Sequence, residues 1–167
     1  MTRKPTPRCA TLKEILHVMN NEDISILFLL ESDNSEENLK SIQVKGFTTV
    51  TGKPGLDDKV RQMALVSHNI KFKRRDDLTT PDVSTLWLEI ERENHSNILL
   101  ANVYREWGNS DPSSYKNQSD AHKLKRFELL VSSLEKAKSE NKEICLLGDF
   151  NLDHEKWDNS DCKEKKS

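Results

Sequence analysis

The chain has 167 residues, 34% of them hydrophobic and 32% charged, which is about one domain's length with enough apolar side chains to bury a core. Its formal net charge of −2 gives no bulk electrostatic drive toward nucleic acid, so such a contact needs a local basic patch. No apolar run is long enough to span a bilayer, and no signal peptide is present. The three cysteines (Cys9, Cys145 and Cys162) form no zinc-site spacing, so a soluble protein of a reducing intracellular compartment is expected.

Met1–Ala10 is short and basic, with two prolines, and reads as a loose arm. Thr11 and Glu14 have the spacing of a capping box, in which the two side chains satisfy free amides at a helix start. Leu12, Ile15, Leu16 and Met19 follow at helical spacing and predict a helix from about Leu12 to Asn20, with His17 off the apolar stripe. Ile24–Leu30 (ISILFLL) is nearly all apolar and too short for most helices, so it predicts a strand covered on both faces. That strand runs out at Glu31, Ser32 and Asp33. An acidic residue there suits either a site or an ordinary charged loop.

Ser35–Lys40 is polar and fits a helical turn, and Gly46–Val50 reads as a strand. Gly52–Gly55 is a turn cluster, and Arg61–Ser67 (RQMALVS) is another apolar strand. Lys71–Arg75 is basic around one aromatic residue. It can contact a phosphate backbone, but a solvated strand face is the favoured reading, and His68 beside it reads as a loop residue. Thr85–Ile90 alternates, with Leu86, Leu88 and Ile90 on one side. With Ile98–Tyr104 (ILLANVY) it predicts a hairpin across the Asn94–Asn97 turn. Gly108–Ser119 is a polar loop. Leu124, Phe127, Val131 and Leu134 then predict an amphipathic helix from about Asp120 to Ser139.

The helix leads into EICLLGDFNLD, Glu143–Asp153. An apolar run ends at Gly148, and Asp149 and Asn151 follow two residues apart on the same side of the chain. Cys145 in this run reads as a small core residue. Asp and Asn also form turns, so the motif alone leaves turn and site open. Three strands therefore deliver Glu31, Tyr104 and the Asp149/Asn151 pair at their ends, where function collects in layered α/β folds. Carboxylates suit a hard divalent cation, while a phenol and an amide suit a phosphate oxygen. The Asp149-x-Asn151-x-Asp153 spacing is not an EF-hand, because His154 stands where its glycine belongs.

GDFN at 148–151, SILFLLES at 25–32 and ILLANVYREW at 98–107, in that order, resemble the endonuclease/exonuclease/phosphatase superfamily. VYREW and GDFNLD are most similar to the apurinic-type endonuclease domain of non-LTR retrotransposons. The resemblance covers about Thr11 to Trp157. It implies an α/β fold, a four-layered sandwich with two facing mixed β-sheets, here incomplete. It also implies metal-dependent cleavage of phosphate esters, with DNA as partner, no membrane contact, and a nuclear setting if DNA is the substrate. By motif, Glu31 is the ligand of Mg2+ or Mn2+ and Tyr104 contacts the scissile phosphate. Asp149 orients or deprotonates the attacking water, and Asn151 helps bind the phosphate.

The sequence also departs from the family pattern. No strand carrying the supporting asparagine precedes the first helix, and no Ser-Asp-His motif follows GDFN on further strands. Asp153-His154 lies too close to Asn151 to take that role, and Leu30 replaces a polar residue often found before the metal glutamate. The expectation is a domain over residues 11–157, truncated at both ends and weakly active or inactive as it stands, followed by a polar tail at 158–167. The alternative is a non-catalytic nucleic-acid- or protein-binding remnant of a mobile element.

Overall fold

The computed structural model describes residues 12–55, 58–80, 83–104 and 120–150. The N-terminal arm, Thr11 of the capping box, the Gly108–Ser119 loop, Asn151, Asp153-His154 and the polar tail lie outside these described residues.

Helix α1 (Leu12–Asn21) is followed by β1 (Ile26–Asn34) and a short helix, α2 (Glu36–Lys40). Ser35 caps α2 with its hydroxyl, accepting from the Asn38 amide at 3.3 Å, which satisfies one of the donors a helix start leaves free. Strands β2 (Phe47–Thr51), β3 (Val60–Ser67) and β4 (Phe72–Arg74) precede a 3-10 turn at Asp76–Leu78. Strands β5 (Ser84–Ile90) and β6 (Ile98–Tyr104) form the expected hairpin, with Asn94 at positive φ in its turn. Helix α3 (Asp120–Lys138) then leads to β7 (Glu143–Asp149).

The strands make two sheets of three and four strands, ordered β1-β3-β2 and β4-β5-β6-β7. The expectation of two mixed sheets is corrected in one of them. The three-stranded sheet is antiparallel throughout, and only the second is mixed, because β6 and β7 run parallel. A parallel pair needs a crossover, since the chain must return to its starting end, and α3 supplies it.

The two sheets pack face to face through Ala64, Val66, Leu86, Leu88 and Ile90, with Ile26, Phe28, Ile98 and Leu100 against them. Met19 of α1 and Leu39 of α2 cover the outer face of the first sheet with Met63 and Leu65. Ala137 of α3 covers the outer face of the second with Trp87, Leu99, Ala101 and Val103. Each central strand is therefore buried on both faces, as continuous apolar runs predict.

Two packing expectations are corrected. On α3, Leu124 and Phe127 are 59% and 60% exposed, and the buried stripe is Leu130, Ser133, Leu134 and Ala137. That stripe keeps the helical i, i+3, i+4, i+7 spacing but is rotated from the predicted one. The closest-packed positions of the crossover are the small Ser133 and Ala137, and the Ser133 hydroxyl donates to the Leu78 carbonyl at 2.5 Å. The basic stretch Lys71–Arg75 is not simply a solvated face either, because Arg75 is buried.

Candidate active site

The apolar run Ile24–Leu30 predicts a strand that ends at Leu30. The strand instead continues to Asn34, through a wide bulge. Leu30 pairs with Gln62 and Asn34 with Val60, so β1 advances four residues where β3 advances two. Glu31 and Asp33 take positive φ values of 55° and 43°, which side-chain-bearing residues rarely adopt.

The bulge decides where Glu31 points. Ile26 and Phe28 face the other sheet, and Leu27 and Leu29 face the helical side. Regular alternation would send Glu31 outward with Leu27 and Leu29; a bulge re-aims a side chain. Two contacts tie the bulge down. The Ser32 hydroxyl donates to the Val60 carbonyl at 2.7 Å, and Arg61 pairs with Asp33 at 2.6 Å.

Tyr104 meets Glu31 from the other sheet, its hydroxyl donating to Glu31 Oε1 at 2.7 Å. Tyr104 is the last residue of β6, is 7% exposed, and lies on the same side of the strand as Leu100 and Asn102. Asp149 ends β7 as the in-register neighbour of Tyr104 and is exposed.

Gly148 fixes that end of β7. It has a φ of +135°, and a Cβ there would run into the Val103 carbonyl of β6. Only glycine allows this approach of the two backbones. The structure thus brings Glu31 and Tyr104 into contact and sets Asp149 beside Tyr104. Asn151, the fourth predicted residue, lies outside the described residues.

Sequence reasoning missed two polar side chains behind this pair. Gln62 is buried between the sheets, and its amide donates to the carbonyls of Ser84 and Asn102, each at 2.9 Å. Asn102 is 1% exposed, and its side-chain amide has no hydrogen-bond partner among the described residues. Both interrupt apolar runs (RQMALVS and ILLANVY), and a polar residue in a buried strand was the available signal.

The far end of the four-stranded sheet carries a different cluster, also missed. Arg75 donates to Asp77, Glu89 and Glu140, and Lys142 donates to Glu89 at 2.6 Å and to Glu140 at 2.8 Å. Hydrogen bonds from Lys142 and Asn97 hold Glu89 down to about 2, and those from Arg75 and Lys142 do the same for Glu140. The Arg75 guanidinium holds Asp77 well below the usual carboxylate range.

A divalent cation fits the Glu31 end. The Tyr104 hydrogen bond occupies Glu31 Oε1, leaving Oε2, and Mg2+ takes only one or two carboxylates and keeps its waters. No group of three or more His, Cys, Asp or Glu side chains suited to a metal occurs among the described residues.

The model of the Endonuclease/Exonuclease/phosphatase family matches residues 3–166. The chain belongs to that family. Solved structures agree at the level of the fold. One is the endonuclease domain of TRAS1, a telomere-specific non-LTR retrotransposon. It is 16% identical at a TM-score of 0.56, over 86% of this chain and 55% of that one. Another is ANGEL2, a 2′,3′-cyclic phosphatase, at 16% identity and a TM-score of 0.57, over 84% of this chain and 43% of that one. A third is TDP2 from Caenorhabditis elegans, at 15% identity and a TM-score of 0.50, over 86% and 42%. The chain thus spans about half the length of these structures or less. No curated protein matches. Among the described residues, no helix is long and apolar enough to cross a membrane.

Proposed function

We propose that this chain is a metal-dependent phosphodiesterase domain of the endonuclease type, descended from a mobile-element nuclease and acting on DNA. The observation that carries the reading is the Tyr104–Glu31 hydrogen bond, which joins the two sheets at one edge beside Asp149. Nothing in the packing of two sheets requires an acidic residue strained to positive φ at that point. Such strain gathers at functional sites. The likeness to the TRAS1 domain supports DNA as the substrate class, and a nuclear setting follows from that substrate.

Glu31 would hold Mg2+ or Mn2+, which neutralises phosphate charge and eases departure of the leaving oxygen when bound. The remaining roles belong to protein side chains. Tyr104 donates its hydroxyl to a phosphate oxygen in place of Glu31. Asp149, exposed at the end of β7, orients the attacking water and draws off its proton. Asn151 adds an amide donor to the phosphate. Residues 11–157 are taken as the domain, flanked by the segments 1–10 and 158–167. A four-layered sandwich, incomplete in this chain, is part of the same proposal.

The test is nicking of supercoiled plasmid with Mg2+ or Mn2+, run on the full chain and on Glu31→Gln and Asp149→Ala. Metal-dependent nicking lost in both variants supports the reading. Salt-dependent DNA binding with no nicking under any metal overturns it in favour of a non-catalytic binding module.

A further inference from the structure

At the opposite end of the three-stranded sheet lies a pocket of about 670 Å3 that the proposed chemistry does not use. Its volume is within the range of small-molecule sites. Lys40, Lys45, His68, Gln43, Ile42 and Phe47 line it, and no carboxylate does. Lys40 is already paired with Glu36 at 2.8 Å. The side chains of Lys45 and His68 have no hydrogen-bond or ion-pair partner among the described residues.

The frame around these two side chains is held by backbone and hydroxyl bonds. The His68 amide donates to the Gly46 carbonyl at 2.9 Å, the Phe47 amide to the Val44 carbonyl at 3.0 Å, and the Thr49 hydroxyl to the Ile42 carbonyl at 2.7 Å. Phe47 pairs with Ser67, whereas Leu30, next to Glu31, pairs with Gln62. At about 3.3 Å per residue the pocket is about 17 Å from the Glu31 end.

We infer that this pocket binds a nucleotide phosphate, with Lys45 and His68 as donors to the anion and the Phe47–Ile42 wall against the apolar part. A ligand-sized concavity with two lysines, an imidazole and an amide, and with no carboxylate among its described lining residues, selects against cations and for anions. An ammonium and an imidazole beside an amide match the several acceptor oxygens of a phosphate. The ligand is either a free mononucleotide or a nucleotide within a strand.

Titration of the full chain with thymidine monophosphate, and separately with a short oligothymidylate, followed by amide resonances, distinguishes these sources. The expected result is saturable displacement of the Lys45, Gly46, Phe47 and His68 amides, weakened about tenfold or more by Lys45→Glu or His68→Ala. Tighter binding of the oligomer assigns the pocket to a strand; equal binding per phosphate assigns it to the free nucleotide. Glu31→Gln leaves these displacements unchanged, so loss of nicking in that variant tests the catalytic proposal separately. Absence of saturable displacement overturns the inference, as does binding that survives Lys45→Glu in a variant whose remaining amides are unmoved. Displacement equalled by sodium chloride at the same ionic strength also overturns it.

Discussion

The two ends of the four-stranded sheet are built on opposite terms. At one end, Arg75, Asp77, Glu89, Glu140 and Lys142 answer one another's charges, and Arg75 is only 7% exposed. At the other, Glu31 is strained, Asp149 is exposed, and one hydrogen bond joins the sheets through Glu31 and Tyr104. The ends are about 17 Å apart along β6, from Leu99 beside Glu89 to Tyr104. One end holds the fold together; the other carries the side chains proposed above for the chemistry. The strained Glu31 belongs to β1 of the three-stranded sheet and meets the four-stranded sheet only at the Tyr104 end, away from the charged cluster.

Substitutions can break this contrast. The largest effect is expected from Arg75→Ala, which removes the buried cation shared by Asp77, Glu89 and Glu140 and leaves the latter two with Lys142 between them. It should lower unfolding stability by about 3 kcal/mol in chemical denaturation, the low end of the range because Asp77 is half exposed. The Glu31 end should keep whatever metal-dependent nicking it has under conditions where this variant is folded. Gly148→Ala comes next, at about 2 kcal/mol, because its Cβ meets the Val103 backbone in a conformation side chains avoid. If its stability is unchanged, β7 does not need that close approach to β6.

Acid unfolding sharpens the same comparison. Glu89 and Glu140 are held at about 2 in the folded chain, against an ordinary 4.5. Depressed carboxyl values contribute stability that is present above 4.5 and is lost as pH falls toward about 2. Denaturation curves collected across that window should show stability falling with pH, and Glu89→Gln should flatten the fall. The smallest stability effect is Tyr104→Phe, about 1 kcal/mol for one hydrogen bond to a solvated carboxylate. The same change should abolish nicking. A Tyr104→Phe protein as active as the parent would remove Tyr104 from the chemistry.

Much of the architecture was legible in the sequence because its signals are local. An apolar run bounded by polar residues forms a strand wherever it occurs, so the β5–β6 hairpin and the strand of the GDFN motif were predictable. Family order drew Glu31, Tyr104 and Asp149 together as candidates, and the fold sets the first two in contact and the third in register with Tyr104. Periodicity failed on α3. Leu124 and Phe127 belong to its apolar repeat, yet the helix docks through Leu130, Ser133, Leu134 and Ala137. The alternating Thr85–Ile90 pattern likewise left Glu89 on an apparently wet face. That face is covered, so Glu89 is 9% exposed and needs its cations.

By itself, then, the sequence determined which segments become strands and helices and which residue types stand at the strand ends. These depend on neighbours a few positions away. Tertiary structure decided where those residues point and what they meet. Tyr104 and Glu31 are 73 residues apart, and Arg75 and Glu140 are 65 apart. The bulge that brings Glu31 to Tyr104 lies where β1 and β3 pair out of step. Contacts across such separations depend on packing, and no local pattern encodes them.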